Sequence, residues 1–283
     1  MLFVPIGFTS DGKLILSSGM GKAKLARDIK SLIKNYYKTY EDLEAGLRKA
    51  GVESMQMVVG IDFSKSNEWT GEKSYHKALH DTRGGETPYG KALRIMSRIV
   101  HKFDDDDIYP VYRFGCANTK DKSVLPLLYP DQEDPHFEGF DAVKKAYEYI
   151  APQIEMSGPT TFAPMIKQAI EISKGTNNQY IILLLLTDGD VSDMDADMKA
   201  LQEASNYPLS IVAIGLGDGP FDKMRVFDDD MRGRKFDNFQ FVSFTEIEMK
   251  VGKCENPELV LATAMMQEVP SQFSFIKKLG YLK

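Results

Sequence analysis

Short and almost uninterrupted apolar runs alternate along this chain with stretches of helical periodicity. The most apolar run, residues 180–187, contains YIILLLL, and another extends from residue 55 to an aspartate at 62. Runs of this length that are rich in Val, Ile and Leu are typical of strands buried on both faces of a sheet. The other predicted strands are 108–114, a weaker one at 124–129, 209–214 and 239–244.

Amphipathic segments lie before and between these strands. The predicted helices are 25–37, 39–51, 88–101, 140–150, one beginning close to residue 162, 196–205, and a final helix at 258–267. Strands that alternate with helices of ten to fifteen residues predict an α/β fold, doubly wound, with a mostly parallel six-stranded sheet and helices on both faces.

The length of 283 residues suits one large domain with extensions. We predict an N-terminal extension at 1–50, irregular up to residue 18 and largely helical from about 22, then a domain at 51–275 and a tail at 276–283. Residues 1–50 hold nine basic and five acidic side chains. This basic segment is interpreted as a solvated helix face, with docking on an acidic or membrane surface as the alternative.

Composition excludes several classes of function. The net charge of −6 argues against nucleic-acid binding, which needs concentrated Lys and Arg. The two cysteines, Cys116 and Cys254, cannot form a disulfide framework, a zinc finger or a RING. The longest apolar run is too short to span a bilayer, and the first residues lack the pattern of a signal peptide. We therefore expect a cytoplasmic protein, with nuclear or peripheral membrane locations as alternatives.

Oxygen-bearing side chains follow two strands and precede a helix at the predicted carboxyl edge of the sheet, where ligands collect in open α/β sheets. Asp62, Ser64 and Ser66 follow the first strand, Thr160 lies in the loop 157–162, and Asp188 follows the most apolar strand. Two carboxylates and three hydroxyls suit a hard cation, Mg²⁺ first, with Mn²⁺ or Ca²⁺ as alternatives. Asp and Ser after a strand also cap turns, so the first motif alone leaves both interpretations open.

Residues 59–71, VGIDFSKSNEWTG, closely resemble the von Willebrand factor A domain of copines and of copine-related plant RING ubiquitin ligases. The resemblance covers about residues 39–275, and the NEWTG run is more similar to the plant branch. Further matching segments are 157–164, 207–212, 215–220 and 236–242.

The resemblance implies a six-stranded sheet with one antiparallel edge strand and a metal-ion-dependent adhesion site. In this family the metal is surrounded by residues that correspond to Asp62, Ser64, Ser66, Thr160 and Asp188. An acidic side chain of a partner protein typically completes the coordination, so the metal bridges two proteins.

Residues near this site are expected to contact the partner. They are Trp69, Thr161 and Asp190. Core packing is an alternative for Trp69, and an acidic helix N-terminus is an alternative for Asp190. His76 and His80 are interpreted as surface histidines, and the acidic run 104–107 as a solvated turn.

We therefore expect a protein-interaction module rather than an enzyme, with a partner protein that presents an Asp or Glu. Copines carry two calcium-dependent lipid-binding modules before this domain, and only about 50 residues precede it here. Without these modules or a RING, membrane targeting and ubiquitin transfer are not expected. The alternatives are a Mg²⁺-dependent phosphohydrolase with Asp62 as nucleophile and a non-catalytic component of a ubiquitin ligase pathway. The oligomeric state stays open.

Overall fold

The computed structural model describes residues 21–282, with side chains from residue 28 onward. The predicted irregular stretch 1–18 lies outside this part. The strands are β1 (Gln56–Asp62), β2 (Ile108–Phe114), β3 (Leu125–Pro126), β4 (His136–Glu138), β5 (Ile181–Thr187), β6 (Leu209–Gly215) and β7 (Phe239–Ser243). The α-helices are α1 (Gly21–Asn35), α2 (Tyr40–Lys49), α3 (Glu72–Tyr75), α4 (Pro88–Val100), α5 (Phe140–Ile150), α6 (Ala163–Gly175), α7 (Met194–Ala204), α8 (Asp222–Arg225), α9 (Phe244–Val251), α10 (Pro257–Met265) and α11 (Val269–Lys278).

The strands form one sheet in the order β3-β2-β1-β5-β6-β7. Five of them run parallel, and β3 pairs antiparallel with β2 at the edge. The predicted mostly parallel sheet with an antiparallel edge strand is therefore confirmed. One further strand, β4, was not predicted. It also pairs antiparallel with β2, so the sheet has seven strands where six were predicted.

Alternate residues of the central strands point to two separate hydrophobic clusters. In β5, Ile182, Leu184 and Leu186 belong to one cluster, and the residues between them belong to the other. Buried residues of α1, α2, α4, α5, α9, α10 and α11 complete the first cluster, and those of α6, α7 and α8 the second. Both faces are covered, as predicted. This explains why the strand sequences are apolar throughout rather than alternating.

The two N-terminal helices pack against the rest of the fold. Thr39 caps α2 by accepting a hydrogen bond from the backbone N–H of Asp42, and Leu43 and Leu47 are buried. In α1, Ile29 is buried in the same cluster as the sheet residues, and the helix contacts α9 and α10. The basic helix therefore docks on the domain through its apolar face. The boundaries at residues 50 and 275 stay predictions.

The end of the chain differs from the expected pattern. The predicted final helix, 258–267, corresponds to α10, but a further helix, α11, follows it. Nearly every residue of α10 is buried, so this helix lacks the polar face that marks a surface helix. The prediction that it is the last helix is wrong.

Within residues 21–282 no helix combines the length and apolarity that crossing a membrane requires.

The acidic turn after α4 is not fully solvated. Asp105, Asp106 and Asp107 are exposed, as expected. Asp104 is only 8% exposed, so the expectation of a solvated turn is wrong for this residue. Burial raises the pKa of Asp104 to about 7, and the nearby Asp106 adds to the shift.

Candidate metal site

The candidate site begins with Asp62, the last residue of β1. Its carboxylate is fully buried. Oδ1 accepts a hydrogen bond of 2.8 Å from the backbone N–H of Ser64, and Oδ2 accepts one of 2.7 Å from the hydroxyl of Thr187. Because Thr187 ends the neighbouring strand β5, the adjacent ends of two parallel strands orient this carboxylate.

The loop after β1 brings two serine hydroxyls together. A 3₁₀ turn at Lys65–Glu68 follows Ser64, and the hydroxyl oxygens of Ser64 and Ser66 lie 3.2 Å apart. The backbone N–H of Lys65 donates a hydrogen bond to the carbonyl oxygen of Ser157. The first loop is thereby joined to the loop that contains Thr160.

The second carboxylate, Asp188, follows β5 and is 1% exposed. Its Oδ2 accepts a hydrogen bond of 3.0 Å from the hydroxyl of Thr70, so the loop after β1 also reaches the loop after β5. Its Oδ1 accepts from the backbone N–H of Asp190 at 3.3 Å. The Ser66 hydroxyl also interacts with this carboxylate.

Thr160, in the loop before α6, supplies a third hydroxyl to the candidate site. Its carbonyl oxygen accepts two hydrogen bonds of 2.8 Å from Ser192, one from the backbone N–H and one from the hydroxyl. Its own hydroxyl is buried and has no hydrogen-bond partner among the described residues. A Cβ placed on Gly115 would lie 2.9 Å from both Thr160 Oγ1 and Asp62 Oδ1. The hydroxyl and the carboxylate therefore border the same small space, which stays open because residue 115 is a glycine.

The charges of the site favour a cation. Burial, and then the negative charge of Asp188, raise the pKa of Asp62 to about 7 against opposing hydrogen bonds from Thr187 and Ser64. Burial also raises the pKa of Asp188. A divalent cation would neutralise this repulsion, and carboxylate and hydroxyl oxygens are ligands that Mg²⁺ accepts.

The family model for copines matches residues 78–283, most of the chain. This chain belongs to the copine family. E3 ubiquitin-protein ligase RGLG5 of Arabidopsis thaliana is 40% identical over 265 residues, which are 89% of this chain and 60% of that protein. Copine family protein 2 of Caenorhabditis elegans is 37% identical over 250 residues, which are 88% of this chain and 3% of that protein. This copine-family chain thus spans only part of the length of these relatives.

Several solved structures share parts of the α/β architecture. Manganese-loaded TRAP protein of Plasmodium vivax has a TM-score of 0.46 at 11% identity, over 73% of this chain and 74% of that one. A von Willebrand factor type A protein of Catenulispora acidiphila has a TM-score of 0.42 at 13% identity, over 75% and 43%. Proximal thread matrix protein 1 of the mussel byssus, with a zinc-occupied MIDAS motif, has a TM-score of 0.43 at 15% identity, over 73% and 48%. At these values the three structures say nothing about the ligands of this chain.

The structure brings all five predicted metal ligands of this copine-family chain into adjoining loops. In residues 21–282 no group of three or more His, Cys, Asp or Glu side chains is arranged to hold a metal ion. Any cation here would therefore depend on hydroxyl oxygens as well as on the two carboxylates. That these residues bind a metal stays a prediction.

The three residues expected to contact a partner differ in exposure. Trp69 is 56% exposed, which excludes core packing for its ring. Asp190 is exposed and lies 3.5 Å from the ammonium group of Lys223. Thr161 is buried, and its hydroxyl accepts a hydrogen bond of 3.1 Å from the backbone N–H of Ala163. Partner binding by these residues stays a prediction.

His80 contacts the backbone of Asp62 in the candidate site, a role that was not recognised in the sequence. The prediction that it is a surface histidine is wrong, because it is 3% exposed and its ring stacks on Phe63. Burial lowers the pKa of His80 to about 4, against a hydrogen bond with Asp62, so the imidazole is neutral. Nε2 donates to the carbonyl oxygen of Asp62 at 2.8 Å, and Nδ1 accepts from the hydroxyl of Tyr147 at 2.9 Å. Sequence spacing could not identify these partners, because Tyr147 lies in α5.

Proposed function

We propose that this chain is a protein-interaction module that binds an acidic residue of a partner protein through a divalent cation. The ligands would be Asp62, Ser64, Ser66, Thr160 and Asp188. The observation that best supports this function is the buried Thr160 hydroxyl, which has no hydrogen-bond partner among the described residues and borders the same space as Asp62. A buried polar atom without a partner is costly, and a bound cation would provide one.

The cation would act as a bridge. Mg²⁺ prefers six oxygen ligands and usually keeps several waters, so a carboxylate of a partner can replace one of them. Mg²⁺ is the first choice because the predicted ligands are all oxygens, and Mn²⁺ and Ca²⁺ are the alternatives. A cytoplasmic location stays a prediction.

Trp69 and Asp190 are proposed to contact the partner around the cation. An exposed Trp within three residues of a predicted ligand offers a large apolar surface, and Trp is enriched among residues that dominate binding energy. Asp190 forms an ion pair with Lys223, so both a negative and a positive charge are available to polar residues of the partner. We assign no side-chain contact to Thr161, because its hydroxyl is buried.

Two alternatives have weaker support. Both oxygens of the Asp62 carboxylate accept hydrogen bonds and the side chain is fully buried, which disfavours Asp62 as the nucleophile of a phosphohydrolase. A non-catalytic role in a ubiquitin ligase pathway rests on the names of the Arabidopsis relatives alone. Native complexes of this protein that contain no ubiquitin enzyme would count against that role.

Selection of peptides from a random library tests the proposed function. The wild-type protein is presented in Mg²⁺, and bound peptides are released with EDTA. We expect the selected peptides to share an Asp or Glu and to lose binding when that residue is changed to Asn or Gln. They should not bind the Asp62→Ala, Asp188→Ala double variant. Trp69→Ala should weaken binding by about tenfold or more. Peptides that bind equally well in EDTA and to the double variant would refute the proposal.

A further inference from the structure

Asn67 lies fully buried between the first serine of the candidate site and helix α4. Its Nδ2 lies 3.1 Å from both the carbonyl oxygen and the hydroxyl oxygen of Ser64. Its Oδ1 accepts a hydrogen bond of 2.7 Å from the hydroxyl of Tyr89. Because a carbonyl oxygen can only accept, the amide nitrogen and not the amide oxygen must face Ser64.

The hydroxyl of Ser64 is held by Asn67 on one side and faces Ser66 on the other. Its oxygen accepts the hydrogen bond of 3.1 Å from the Asn67 amide. It also lies 3.2 Å from the hydroxyl oxygen of Ser66, and either hydroxyl can be the donor in that contact.

Hydrogen bonds therefore run from Tyr89 to Asn67 and from Asn67 to Ser64. A serine oxygen has two lone pairs, and the Asn67 amide occupies one of those on Ser64. Because a serine hydroxyl binds a metal through a lone pair, this contact restricts how the Ser64 hydroxyl can be turned toward a cation.

We propose that Asn67 is a positioning residue of the metal site, which orients the Ser64 hydroxyl toward the cation. This inference rests on the proposed function. Asn67 does not touch the cation itself. Tyr89 holds the amide from the other side, and its ring, 4.1 Å from that of His80 between centroids, is fully buried. Asn67 is therefore held from that side by a fully buried residue of α4.

Calorimetric titration with Mg²⁺ tests this role, with unfolding in urea measured on the same proteins. We expect Asn67→Ala to raise the Kd for Mg²⁺ by about 10- to 100-fold, as for other residues that orient metal ligands. Tyr89→Phe should give a smaller increase, since it removes one oxygen and keeps the aromatic packing. If Asn67→Ala does not fold, Tyr89→Phe decides alone, and an unchanged Kd for it would overturn the inference.

Leu47→Ala is the matched control for lost stability. Leu47 is buried in α2, and the next residue, Arg48, donates a hydrogen bond to the carbonyl oxygen of Lys102, beyond the far end of α4 from Tyr89. It should lower stability and leave the Kd for Mg²⁺ unchanged. If wild type binds Mg²⁺ and Asn67→Ala binds within twofold of it, only the positioning role fails. If wild type shows no binding, the proposed function fails and this inference with it.

Discussion

The hydroxyl of Thr187 donates a hydrogen bond of 2.7 Å to Oδ2 of Asp62, across the adjacent ends of β5 and β1. The same hydroxyl oxygen accepts a hydrogen bond of 3.0 Å from the backbone N–H of Gly189. One threonine therefore orients the carboxylate of one loop and the backbone of another. These two hydrogen bonds hold the end of β1 and the loop after β5 together, and both supply proposed metal ligands.

Gly115→Ala is expected to abolish metal binding and to lower stability. The added Cβ would lie 2.9 Å from both Asp62 Oδ1 and Thr160 Oγ1, and Gly115 has a φ of +73°, which an alanine rarely adopts. We expect a loss of about 1–3 kcal/mol in the free energy of unfolding. Gly252→Ala is the control, because nothing lies within 4 Å of its added Cβ and its φ is −56°. Mg²⁺ titration and urea unfolding of both variants check this, and tight Mg²⁺ binding by Gly115→Ala would contradict it.

Thr160→Val is expected to weaken metal binding without a loss of stability. The substitution keeps the shape of the side chain and removes a buried hydroxyl that has no hydrogen-bond partner among the described residues, so folding loses no hydrogen bond. Thr187→Val is the matched comparison, since its hydroxyl makes two hydrogen bonds, and it should cost about 1–3 kcal/mol. Calorimetry and thermal unfolding separate the two effects. An unchanged Mg²⁺ affinity of Thr160→Val would show that Thr160 is not a metal ligand.

Asp104→Asn is expected to stabilise the protein at pH 8 and to have little effect at pH 4. The pKa of Asp104 is raised from 3.8 to about 7 in the folded protein, so the folded state holds this proton more tightly than the unfolded state. The resulting stability is present below about pH 4 and is lost as the pH rises through about 7. We expect a gain on the order of 2 kcal/mol at pH 8.

Urea unfolding at both pH values measures this effect. Asp105→Asn is the control, because its exposed side chain is the next one along the same turn, and it should change the free energy of unfolding at pH 8 by much less than Asp104→Asn does. Equal stabilities of wild type and Asp104→Asn at pH 8 would contradict the assignment of this pH dependence to Asp104.

The buried strands were predictable because their apolar runs are long and end at polar residues. Predictions of 55–62 and 180–187 correspond to Gln56–Asp62 and Ile181–Thr187. The weaker strand at 124–129 shortens to Leu125–Pro126, and His136–Glu138 was missed. Strands of two or three residues have no periodicity to detect, and they form only because β2 has a free edge with which they can pair.

The predicted ligands were identifiable from motifs within single loops, whereas the groups that position them were not. Asn67 follows Ser66 directly in the sequence, yet its hydrogen bond with Tyr89 joins two separate elements. His80 and Tyr147 are 67 residues apart and meet only through packing. Hydrogen bonds between distant residues leave no spacing pattern, so a single sequence does not indicate them.

Anomalous diffraction from a crystal soaked in Mn²⁺ tests the proposed metal site most directly. We expect one strong peak in the space bordered by Asp62, Ser64, Ser66, Thr160 and Asp188, because Mn²⁺ accepts the same oxygen ligands as Mg²⁺. The Asp62→Ala, Asp188→Ala double variant should show no peak there. A fully soaked wild-type crystal with no peak at this position, or with its main peak elsewhere, would contradict a metal site formed by these residues.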